Sequence, residues 1–151
     1  VAIRNARHHA ELEELEAKYR HLYDHAPDMY HSLDHNGRIV NCNQTYADAL
    51  GYSKDELIGK LYLDLVVREQ RQEVLHNLVR YFRGAGAAHV ERTLLRRDGS
   101  TLPVEVKRRT VCDADGNIIR SDTLLRDITE RKRAEEALQQ AHGELAQAEA
   151  R

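Results

Sequence analysis

No stretch of this chain is apolar enough to cross a membrane, and no N-terminal segment reads as a signal peptide. Neither sign of charge prevails: the net charge is −2 over 151 residues, with Arg, Lys, Asp and Glu interspersed, so the electrostatic footprint of a nucleic-acid binder is missing. Only two cysteines are present, Cys42 and Cys112, too far apart to form a close metal-type pair. Tryptophan is absent, phenylalanine occurs once, and the aromatics are mostly tyrosine. No glycine-rich nucleotide-binding segment occurs, and no nucleophile sits in a motif for covalent catalysis, so the chain is not expected to be an enzyme by itself. These absences leave a single intracellular domain with a real core, read here as part of a longer cytoplasmic protein with no direct membrane insertion.

What is present is organised as helix, mixed middle, helix. Leu12, Leu15, Tyr19 and Leu22 recur three and four apart, on one seam of a helix filled with acidic residues. Ala134, Leu138, Ala141, Leu145 and Ala148 repeat that spacing at the other end. Such a stripe packs either on its own domain or on a partner helix, and the poverty of the Ala/Leu seam favours the partner. The segment His9–Lys18 also aligns with His142–Arg151 at His, Glu, Leu and Ala, either because coiled coils converge in composition or because the unit repeats in tandem. His142 followed by Gly143-Glu144-Leu145 is at most a faint phosphoacceptor box: Gly143 interrupts it and no proline follows, so a solvated coiled-coil position is expected.

Three turn signals punctuate the middle. Asp34-His35-Asn36-Gly37 separates Tyr30–Leu33 from Arg38–Cys42, Arg97-Asp98-Gly99-Ser100 separates Val90–Arg96 from Thr101–Val111, and Asp115-Gly116-Asn117 precedes Ile118–Leu125. Pro103 belongs near a strand start or on an unpaired edge. From Asn43 to Phe82 the pattern is helical, with a Ser53/Glu56 capping box and a longer helix carrying Val74, Leu75, Leu78, Val79 and Phe82 on one face before Gly84 and Gly86. Two strands, several helices and three strands imply an α+β fold: a five-stranded antiparallel sheet with helices packed on one face.

Within this order the phrases Ala26-Pro27-Asp28, Asn36-Gly37-Arg38-Ile39-Val40, Leu50-Gly51-Tyr52-Ser53, Arg97-Asp98-Gly99-Ser100, Val104-Glu105-Val106 and Asp127-Ile128-Thr129-Glu130-Arg131 follow one another. Together, from about Tyr19 to Arg133, they resemble a PAS sensor domain. The resemblance implies a noncatalytic sensory or dimerisation module of a histidine kinase, cyclic-dinucleotide enzyme or transcription regulator. It divides the chain into an N-terminal signalling helix (1–24), a PAS core (25–128) and a coiled-coil output helix (129–151), joined to the core by the signal junction Asp127, Ile128 and Thr129. The expected partners are a second copy of the chain, held through Leu12, Leu15, Tyr19, Leu22, Leu138 and Leu145, a covalently linked output domain and adjacent PAS units.

What fills such a domain is the open question. Flavin-linked members that form a photoadduct carry a reactive Cys in a motif similar to Asn-Cys-Arg-Phe-Leu-Gln on a helix, whereas Asn41-Cys42-Asn43-Gln44 ends a strand here. Flavin-binding redox members stack a Trp on the ring, and this chain has none. Haem-binding members ligate iron through a His of the long helix, but His76 lies about 100° from Leu75, at the edge of the apolar stripe. No cofactor is therefore expected, with haem at His76 as the alternative. His31 shares strand parity with Leu33 and points inward if Leu33 does, where it could hydrogen-bond a small carboxylate; otherwise Tyr30 and Ser32 face inward and His31 the surface. The candidate pocket comprises His31, Leu33, Leu50, Leu75, Leu78, Val79 and Phe82. His21 and His25 are spaced to share a metal but lack a third ligand, so no metal site is expected.

Overall fold

The structure, a computed structural model, describes residues 2–150; Arg151, the last position of the terminal repeat, lies outside them. The chain runs α1 (Ala2–Asp24), β1 (Met29–Asp34), β2 (Ile39–Cys42), α2 (Gln44–Leu50), α3 (Lys54–Leu57), two 3₁₀ turns (Tyr62–Leu65 and Arg68–Gln70), α4 (Arg71–Phe82), β3 (His89–Leu95), β4 (Thr101–Cys112), β5 (Ile118–Asp127) and α5 (Thr129–Glu149). The strands form one antiparallel sheet in the order β2-β1-β5-β4-β3. The first hairpin therefore lies beside the last strand, and α2 to α4 cross the sheet between β2 and β3. This is the expected α+β architecture, with helices at both ends.

Local chemistry explains the joints. In the β1–β2 turn the Asp34 carboxylate accepts from the backbone N–H of Asn36 (2.9 Å) and Arg38 (3.0 Å), and Gly37 takes the positive φ of 76° that closes it. The capping box opens α3: Ser53 Oγ accepts from Glu56 N at 3.1 Å and Ser53 N donates to the Glu56 carboxylate at 3.4 Å. Past α4 the chain folds back so closely that a Cβ on Gly86 would fall 2.4 Å from Asn77 O and Tyr81 N. Only glycine fits there, and Asn77 holds the next residue through Ala87 N (2.8 Å) and O (3.1 Å). Pro103 is the third residue of β4, near the strand start, and its carbonyl accepts from Ile128 N at 3.1 Å.

The core lies between sheet and helices. Leu33, Ile39, Leu50, Leu57, Leu65, Leu94, Leu102, Val104, Val106 and Leu125 are buried there. By contrast neither α1 nor α5 buries a residue, and no helix among those described is long and apolar enough to cross a membrane.

One expectation about the core needs correction. The face of α4 turned to the sheet is Val74, Leu78 and Tyr81, while Leu75 and Val79 are 49% and 43% exposed. They do not line the interior. Val74-Leu78-Tyr81 and Leu75-Val79-Phe82 are parallel stripes about 100° apart, and a helix lying on one flat surface buries only one of them fully; Phe82, on the second, is partly buried at the edge.

Candidate functional site

Strand alternation sets the site. Met29, His31 and Leu33 of β1 are buried, as are Ser121, Thr123 and Leu125 of β5 and Leu102, Val104, Val106 and Arg108 of β4. The register puts His31 opposite Thr123 and Thr123 opposite Arg108, so a polar row crosses three strands. Over it stand Tyr46 from α2 and Tyr62 from the first 3₁₀ turn, each meeting the His31 ring edge-on at 5.0 Å between centroids. The Arg108 guanidinium carbon lies 5.9 Å from the centre of the Tyr81 ring.

This group is buried yet makes few bonds. Both ring nitrogens of His31, the hydroxyls of Tyr46, Tyr62, Tyr81, Ser121 and Thr123, and all three guanidinium nitrogens of Arg108 have no hydrogen-bond partner among the described residues. Arg92 on β3 is also buried, but its Nη1 donates to Glu91 O at 3.1 Å and meets the Glu73 carboxylate at 3.5 Å. Burial, reinforced by the Arg108 charge, pushes the His31 pKa down to about 3, so the ring is neutral at physiological pH. Burial also pushes the Tyr46 and Tyr62 hydroxyls above their ordinary range and the Arg108 guanidinium below its own. The arrangement suits recognition of an anion and offers no nucleophile–base pair.

The remaining sequence candidates fall in several places. Leu33 and Leu50 are fully buried in the same core as His31, and Leu78 nearly so. His76 stands on the exposed side of α4, away from the sheet. Cys42 is buried and Cys112 exposed, both free, and burial pushes the Cys42 thiol up to about 11. The rings of His21 and His25 lie 4.6 Å apart, and no group of three metal-ligating side chains occurs among the described residues. Arg108, Tyr62 and Thr123 were not legible as site residues. For Arg108 a signal existed: if Val104 and Val106 face inward, the period of two carries Arg108 inward with them.

At the end of β5 the Asp127 carboxylate accepts from Thr129 N at 2.8 Å and from the Thr129 hydroxyl. Beside it, Arg126 meets the Asp28 carboxylate at 3.2 Å. Ile128 is buried and bonded to Pro103, and in the first turn of α5 Arg131 pairs with Glu91 of β3 and, at 3.6 Å, with Glu105 of β4. Lys132 adds a contact to Glu91 at 3.6 Å. On the outer sheet face an open groove of about 910 Å³ is bounded by Tyr19, Leu22 and Tyr23 of α1 and by Tyr30, Ser32 and Leu124. Leu12, Leu15, Tyr19, Leu22, Leu138 and Leu145 are all exposed.

Comparison with known proteins agrees with this geometry. A family model of the PAS fold matches residues 17–128. The methyl sulfide methyltransferase-associated sensor of Methanosarcina acetivorans is 29% identical over 138 residues, covering 91% of this chain and 14% of that protein. The sensor histidine kinase TmoS of Ectopseudomonas mendocina is 27% identical, covering 87% of this chain and 14% of that one. The chain thus spans about one seventh of these relatives' length. The PAS domain of an HTR-like protein from Haloarcula marismortui superposes with a TM-score of 0.69 at 28% identity, covering 82% of this chain and 99% of that one.

Proposed function

The chain belongs to the PAS family, and from that membership we propose that it is a sensory relay module of a multidomain signal-transduction protein, most simply a histidine kinase. In this reading the module dimerises and passes a ligand- or partner-induced change through Asp127-Ile128-Thr129 to α5, with no catalysis of its own. The observation that supports it is the double attachment of α5. Ile128 is bonded to Pro103 in β4, and Arg131 is paired with Glu91 and Glu105 on β3 and β4. A shift of these strands would move the root of the helix, and modest energy differences suffice to redistribute two helix arrangements close in energy.

Asp127→Ala in the full-length receptor tests the relay. Losing this cap costs about 1 kcal/mol, so the variant should fold and keep its ligand while its output stops following the stimulus. Normal switching with only a lower melting temperature would leave Asp127 as a helix cap and nothing more.

Dimerisation is proposed through the two terminal helices. Leu12, Leu15, Leu22, Leu138 and Leu145, with Tyr19, form exposed apolar seams that a partner helix would bury. Leu15→Glu should raise the dimer dissociation constant by about tenfold or more, as two charges meet at the seam. Sedimentation showing the unsubstituted chain monomeric at roughly tens of micromolar would rule this out.

A further inference from the structure

The buried polar side chains among the described residues include two arginines and no aspartate or glutamate. Arg92 reaches the Glu73 carboxylate at the edge of the core. Arg108 is 7% exposed and lies over the Tyr81 ring at 5.9 Å, but its Nε, Nη1 and Nη2 find no hydrogen-bond partner and no carboxylate among the described residues. A guanidinium stays charged at any physiological pH, and burying it without an anion is unfavourable, since the ring of Tyr81 cannot accept the hydrogen bonds its three nitrogens offer. Leucine or methionine at this position would fill the space without that penalty. The unpartnered groups beside Arg108 are also directional. Thr123 is its neighbour across the strand pair, and His31, on the next strand, carries Tyr46 and Tyr62 against its ring; the backbones of the His31 and Arg108 strands are two spacings, roughly 10 Å, apart.

We propose that this interior row is the binding site for a small organic carboxylate, its carboxylate gripped by the Arg108 guanidinium and its second polar group held by His31, Tyr46 and Tyr62. A planar fork with free donors matches a carboxylate bidentately, and the neutral imidazole and phenol hydroxyls can donate to or accept from a hydroxyl, carbonyl or second carboxyl group. The tyrosine rings shelter the pair from water, which strengthens the charge-assisted bonds. The assignment names a ligand class for the sensor reading and rests on it. It also explains why a charge stands where an apolar residue would stabilise the fold better: Arg108 is retained for recognition.

The test uses the 151-residue chain with two carboxylate probes, succinate and benzoate, and their neutral counterparts succinamide and benzamide, at millimolar concentration. At least one carboxylate should raise the melting temperature while its amide does not. Arg108→Lys, which keeps the charge but loses the fork, should weaken that carboxylate's binding about tenfold, and Arg108→Met should abolish it. Without any probe, Arg108→Met should melt at or above the parent temperature, because an uncompensated charge has been removed. The proposal is overturned if amides stabilise as well as acids, if neither acid stabilises, or if Arg108→Met melts well below the parent. Those results would leave the relay reading standing, because that reading fails separately, in the output of the Asp127→Ala receptor.

Discussion

Asn43→Ala should destabilise the domain by about 4 kcal/mol, enough to leave a chain of ordinary stability marginally folded. Asn43 is fully buried and its amide is spent completely. The Oδ1 atom accepts from Tyr30 N and Tyr46 N, both at 3.0 Å, and Nδ2 donates to Tyr23 O at 2.9 Å and Asp28 O at 3.0 Å. One side chain thus caps α2, pairs the start of β1 and ties down the end of α1. Each bond is worth about 0.5–1.5 kcal/mol net, and each buried group left without its partner costs about 1–3 kcal/mol, so alanine loses far more than an N-cap. Asn43→Asp keeps both acceptor bonds but gives up the two donors and sets a carboxylate against two carbonyls, so it should fall between alanine and the parent or below. Urea unfolding with an unchanged m-value is the measurement. A shift under about 1 kcal/mol for Asn43→Ala would mean that backbone and solvent replace these bonds without loss, and the hub role would be withdrawn.

This hub shows where legibility in the sequence ends. That Asn43 leads into a helix is visible, because asparagine before an apolar-periodic run is an N-cap signal. That its amide also closes the end of α1 depends on residues 13 to 20 positions away that no local pattern connects. The strands and hairpins were legible for the same local reason: Asn36-Gly37, Asp98-Gly99 and Asp115-Gly116 each supply the positive φ their turns use, at 76°, 88° and 84°. Strand order was not, since nothing in the β1–β2 hairpin specifies that β5 returns beside β1. The α4 face was misread because Leu75 and Val79 are as apolar as Val74 and Leu78, while Tyr81, which packs inward, carries a polar tip. Arg108 was hidden by the ordinary expectation that charge lies outside, which holds for packing positions and fails where a ligand is to be recognised.

Acid should destabilise the protein through His31, and His31→Phe should remove that sensitivity. The folded-state pKa of His31 is lowered by burial and by the Arg108 charge to about 3, whereas the unfolded chain protonates it near the ordinary value of about 6.5. Between those values the unfolded state binds a proton that the folded state refuses, so stability falls as the pH drops below about 6.5, by about 1.4 kcal/mol per pH unit. At pH 4.5 that amounts to about 2–3 kcal/mol, and the loss levels off only near the folded pKa. The groups around the ring do not change charge in this window. Tyr46 and Tyr62 are pushed further above their ordinary range, Cys42 on the paired strand is raised to about 11, and Arg108 stays cationic. Exposed carboxylates such as Glu56, Asp98 and Asp113, held below their usual range by hydrogen bonds, also lose their contribution as pH falls, but they do so equally in both proteins. The informative quantity is therefore the difference in unfolding free energy between His31→Phe and the parent at pH 7.5 and at pH 4.5. Phenylalanine preserves the edge-on contacts with Tyr46 and Tyr62 and brings no titrating nitrogen. The variant should gain about 2–3 kcal/mol on the parent between the two pH values. Parallel pH profiles would show that the ring takes up its proton in the folded protein as readily as in water, contrary to its burial beside an unpaired guanidinium.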